Sequence, residues 1–112
     1  INRKYKLREH FTEEQSTHIE HMWDLCDKAL TQMELILEDT DHKVDPRISL
    51  NIENEINHYR TQLKEANVTD VNDKKYDYQT GVTYMDIIGD SEKLGDYAIN
   101  VVEAHTQVKL TV

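Results

Sequence analysis

The sequence predicts an all-α fold, an antiparallel bundle of three long helices, and three observations carry that expectation. Apolar residues recur at helical spacing in three separate stretches of the 112-residue chain. Three glycines and one proline are too few for the tight turns of an all-β fold. The polar breaks between the stretches are short, which makes helices that are neighbours in sequence neighbours in space. At this length a single domain is expected over residues 1–112, with helices over about 12–38, 46–67 and 73–107.

The first ten residues, INRKYKLREH, bring Arg3, Lys4, Lys6 and Arg8 together in an otherwise acidic chain. They read either as a solvated lead-in or as a juxtamembrane segment attracted to anionic headgroups. The first helix starts near Thr12, where Thr-Glu-Glu-Gln has capping-box spacing. Ile19, Met22, Cys26, Ala29, Leu30, Met33 and Leu37 form its apolar stripe, and Cys26 reads as a small buried hydrophobe. Glu14, His18 and His21 fall at i, i+4 and i+7 on one face, a spacing open to metal ligation or to an ordinary surface group.

Asp39 to Lys43 reads as a turn, and Asp45-Pro46 announces the second helix with a capping acid before a proline at the first helical position. Ile48, Ile52, Ile56, Tyr59 and Leu63 form its stripe. Residues 67–75 supply Asn, Thr and Asp for a short connection. The third helix places Met85, Ile88, Ile99 and Val102 along one edge of an apolar arc, with Ile87, Leu94, Ala98 and Val101 along the other. At about 100° per residue, Glu92, Asp96 and Glu103 fall within roughly 40° of one another on its shoulder, with Asn100 just beyond. Carboxylates beside a packed face must be paired, hydrated or metal-bound. Gly89 and Gly95 each cost about 1 kcal/mol in a helix, so a close neighbour is expected to compensate.

The balance of 13 Lys plus Arg against 22 Asp plus Glu leaves a net charge of −9, which disfavours a broad nucleic-acid surface. One cysteine excludes an internal disulfide framework. No stretch of apolar residues is long enough to insert in a bilayer. The chain opens at Ile1 rather than Met, so it is expected to be a piece of a longer protein.

The run Glu92-Lys93-Leu94-Gly95-Asp96, continued through Tyr97 to Glu103, resembles the signature helix of the PhoU family, where an E-x-x-x-D motif precedes small and apolar residues. Glu55-Ile56-Asn57 and the approach Gly81-Val82-Thr83-Tyr84-Met85-Asp86 resemble the PhoU-like tails at the C-terminus of bacterial sodium/phosphate cotransporters. The resemblance covers residues 48–104, and the first helix fits by length and polarity only.

It implies a cytoplasmic regulatory domain on the inner face of the membrane. Its partners would be the transmembrane portion of the same transporter and, because three amphipathic helices leave an open side, a second copy in a homodimer. It implies metal binding at Glu92 and Asp96. Hard oxygens suit Mg, Ca, Mn or Fe, while histidine would shift preference towards Zn and other transition metals. Glu55, Asn51 and Asn100 are secondary ligand candidates, as are His18 and His21. The competing reading is that Glu92 and Asp96 pair with Lys or Arg across the bundle. Ordinary PhoU proteins carry two three-helix repeats and this chain has length for one, which puts a multinuclear cluster in doubt.

Two other functions compete. A stand-alone PhoU-like regulator of phosphate uptake shares the fold and differs in what precedes Ile1. A carboxylate-bridged di-iron enzyme needs two Glu-x-x-His motifs. Only Glu55-x-x-His58 fits, since Asp39-x-x-His42 sits in a turn, and no serine or Cys26 has a base at identifiable spacing, so no enzymatic activity is expected.

Overall fold

A computed structural model describes residues 7–107. The basic lead-in lies mostly outside the described residues, and the terminal VKLTV lies wholly outside them. Within them, all regular secondary structure is helical and the helices pack together: a short helical segment at residues 7–10, α1 (Glu13–Glu38), α2 (Arg47–Asn72) and α3 (Tyr78–Thr106).

Local chemistry sets each start. Thr12 is extended, its hydroxyl accepts from the Gln15 amide, and the Gln15 side chain accepts from the Thr12 amide, closing a capping box ahead of α1. Before α2, Pro46 already has helical dihedrals, and the Asp45 carboxylate accepts from the Arg47 amide at 2.9 Å. Asp77 caps α3 by accepting from Thr80 N at 2.7 Å.

Two boundaries differ from expectation. Helix α2 continues past residue 67 to Asn72, because Val71 packs onto α3 and keeps the chain helical through Asn67–Asp70. The connection is therefore residues 73–77, and α3 begins at Tyr78, not at 73. Lys74 adopts φ 58° in that turn, a left-handed conformation that ends α2.

The core runs through the middle of all three helices. Ile19, Met22, Leu25, Cys26 and Ala29 come from α1, Ile56 and Leu63 from α2, and Tyr84, Ile88 and Ala98 from α3, with Leu7 from the lead-in. The α1 stripe is rotated slightly from the expected one: Leu25 and Ile36 are buried while Leu37 is exposed. On α2, Ile48 is exposed and the buried face is Ser49, Glu53, Ile56 and Leu63. On α3, Leu94 points outward at 47% exposure, while Ala98 of the same expected edge is buried and Ile87 packs against the core.

Cross-helix contacts give the relative directions. Phe11 and His18 meet Tyr84, and Cys26 meets Ser91, so α1 and α3 advance together. Ile56 meets Gly95 while Val71 meets Gly81, so α2 runs the opposite way. No described helix is long and apolar enough to cross a membrane.

Candidate functional site

The seam between α2 and α3 positions the acidic motif. A Cβ built on Gly95 would lie 3.0 Å from Ile56 Cδ1, so the absence of a side chain lets Ile56 seat against the α3 backbone. Gly89 has nothing within 4 Å of its Cβ position, and the compensating neighbour expected there is not present. Glu92 and Asp96 bracket Gly95 and are both partly buried.

Opposite them on α2 stands Glu53, which the sequence reading did not single out. It is 7% exposed, and its Oε1 accepts from Asn57 Nδ2 at 2.9 Å. Burial raises its pKa above the ordinary carboxylate value. The Asn57 hydrogen bond opposes the rise, and the Asp96 carboxyl group and the Glu92 charge add to it. Three carboxylates from two helices thus share one neighbourhood. The cation facing them is Arg60, whose Nε lies 3.6 Å from Glu92 Oε2, an ion pair too long for a hydrogen bond. That Nε is buried with no hydrogen-bond partner.

The secondary candidates lie elsewhere. Glu55, Asn51 and Asn100 are exposed, so none joins Glu92 and Asp96 at the seam's interior. Glu55 and His58 are both exposed, and His42 sits in the loop after α1 with φ 55°. His18 and His21 meet aromatic rings. His18 Nδ1 is 3.0 Å from the Tyr84 hydroxyl, and the His21 ring stands edge-on to Tyr59 with centroids 4.8 Å apart. Glu14 is exposed. Cys26 is buried, its thiol donates to the Ser91 carbonyl at 3.1 Å, and burial, with the Asp27 charge adding, pushes its pKa up to about 11. It has the environment of a packed, inert thiol.

Among the described residues no group of three or more His, Cys, Asp or Glu is arranged to hold a metal ion. Glu92 and Asp96 offer two carboxylates one turn apart, with Arg60 already on the first. As folded, these residues do not make a complete cation cage, which takes six or more oxygens for Ca or a near-octahedral set for Mg.

No family model, curated protein or solved structure matches the chain.

Proposed function

We propose that this chain is a PhoU-like regulatory domain, an antiparallel three-helix bundle that serves as the cytoplasmic tail of a sodium-dependent phosphate cotransporter. The observation that carries the reading is the place of the E-x-x-x-D run. Glu92 and Asp96 flank the one glycine of α3 on which Ile56 of α2 is seated, with buried Glu53 and Arg60 facing them. A motif at a helix seam, where charge state and helix spacing are coupled, suits a domain that responds to a signal more than one that turns over a substrate. The reading gives the domain no enzymatic role.

A metal is a separate part of the proposal. Glu92 and Asp96 would supply hard oxygens for Mg, Ca, Mn or Fe, and Arg60 would have to leave Glu92 first; the regulatory reading does not depend on that exchange. Metal content by mass spectrometry of the purified domain, compared with Glu92→Gln, tests it. Stoichiometric metal lost in the variant supports a site, and equal trace content in both refutes it.

The proposed partners are the transmembrane part of the same transporter and a second copy of the domain. Leu94 and Tyr97, 47% and 57% exposed on the outer side of α3, supply apolar surface for such a contact.

Fractionation of the source cells with an antibody against this domain tests the attachment. A band much heavier than 13.2 kDa and confined to the membrane pellet supports the transporter tail. A small band in the supernatant overturns it in favour of a stand-alone PhoU-like regulator.

A further inference from the structure

An open groove of about 470 Å³ runs between the C-terminal half of α2 and the start of α3, lined by those two helices alone. Val68, Val71, Val82 and Met85 supply its apolar lining, and Tyr78 stands where α3 begins. Val68 and Tyr78 are 57% and 73% exposed, so a continuous apolar surface lies in water. The chain presents 7459 Å² of accessible surface, whereas a compact monomer of 13.2 kDa presents about 6,400 Å². The excess is enough for one side of a standard interface, about 800 Å² per partner.

Charge selects the partner. Lys64 on the α2 wall and Asp86 on the α3 wall are both exposed, and neither is in an ion pair among the described residues. Arg60 pairs with Glu92, Ile56 seats on Gly95 and Val71 meets Gly81, which fixes the levels of the two helices. One turn beyond Arg60, Lys64 is therefore level with Ile88, and Val68 with Tyr84. Along the groove, a basic stretch of α2 lies level with an acidic stretch of α3, and an apolar stretch with an apolar one.

Such a surface is complementary to itself under one symmetry. A two-fold axis parallel to the helices lays α2 of each copy on α3 of the other at unchanged height. Val68 then comes onto the Val82 and Met85 surface, and Lys64 onto the Asp86 side, twice over. A two-fold across the helices would set α2 on α2 and α3 on α3, which keeps Lys64 and Asp86 apart.

We infer that the α2–α3 groove is the face on which a second copy of this chain docks, about a two-fold axis parallel to the two helices. The inference rests on the homodimer part of the reading above and not on attachment to a transporter. It leaves Leu94 and Tyr97 to the other partner, since Leu94 lies nine residues from Met85 and so half a turn round α3 from the groove.

Sedimentation equilibrium of the purified chain across the micromolar range tests it. The parent should reach twice 13.2 kDa. Val68→Glu should weaken association about a hundredfold or more, because it buries a carboxylate from each copy against apolar surface. Lys64→Glu and Asp86→Lys should each weaken it about tenfold or more, because each sets like charges together twice. An equimolar mixture of those two variants should dimerise again, since opposite charges then meet at both places. Leu94→Glu should leave association unchanged. All four positions are exposed, and circular dichroism confirms that the helices persist. A parent that stays monomeric overturns the second copy altogether and leaves the transporter attachment standing on the cell fractionation. A dimer broken by Leu94→Glu and not by Val68→Glu overturns the groove while the homodimer stands. A mixture of Lys64→Glu and Asp86→Lys that fails to associate overturns the proposed symmetry.

Discussion

Ile56 occupies the space a side chain on Gly95 would need, with its Cδ1 3.0 Å from the missing Cβ. Gly89, two turns earlier on the same helix, faces open space. Both glycines cost helix propensity, and only one of them is repaid by packing. Gly89→Ala should therefore stabilise the domain by about 1 kcal/mol, a rise of roughly 4–8 °C in Tm. Gly95→Ala should fall short of that gain, and Gly95→Leu should lose about 1–3 kcal/mol by overpacking. Thermal melts of the three variants check the contrast. Equal effects at the two positions would remove the seam's close approach.

Glu53 should make the domain less stable as pH rises. Its folded pKa is raised, by burial first and by Asp96 and Glu92 in addition, so the folded state holds the proton more tightly than the unfolded one. Between the ordinary glutamate value and the raised folded value, the folded state binds more protons and stability falls with increasing pH. Glu53→Gln keeps an acceptor for Asn57 and has no charge to lose. It should be more stable than the parent at pH 7, with the advantage gone below about pH 4. Urea midpoints measured across that range decide it, and a parent whose Glu53→Gln gain is the same at every pH would contradict the raised pKa.

Cys26 should resist thiol reagents. With its pKa pushed up to about 11 and its thiol hydrogen-bonded inside the core, almost no thiolate is available at neutral pH. Labelling by a disulfide reagent at pH 8 should be slow in buffer and rapid in urea, at the rate of global opening. Fast labelling of the folded domain would mean that the α1–α3 interface opens locally.

Tyr84 should ionise only when the domain unfolds. Its phenol is 2% exposed, burial drives its pKa far up, and its hydroxyl meets His18. Tyr84→Phe keeps the ring packed against Phe11 and removes the hydroxyl, at a cost of about 1 kcal/mol. An alkaline absorbance titration of parent and variant should differ by one tyrosine that appears only in the unfolding transition.

The helices were legible because their start signals are local. Thr12 with Gln15 and Asp45 with Pro46 act within one turn of the chain, and the equally local cap at Asp77 was the available signal for α3, whose start the sequence reading put at 73. What the sequence could not place was rotation. The α2 stripe reads equally well as Ile48, Ile52, Ile56, Tyr59 and Leu63, yet packing turns the helix so that Ser49, Glu53, Ile56 and Leu63 face inward. That rotation is what brings Glu53 to the seam and leaves Glu55 in solvent. A glutamate three residues before Ile56 and ten before Leu63, at helical spacing from both, was the available signal. It was outweighed by the louder apolar period one residue away. The neighbours of His18 and His21 were hidden for a similar reason, since Tyr84 and Tyr59 come from other helices.

Gly81 repeats on α3 what Gly95 does. A Cβ there would lie 2.7 Å from Val71 Cγ2. The two glycines are about four turns apart on nearly the same side of the helix, and each receives one branched side chain from α2. A rod held in two notches can neither slide nor swivel by small amounts, because the branched carbons must climb out of both before either finds a new seat. Sliding between α2 and α3 is therefore opposed at two points of the seam at once.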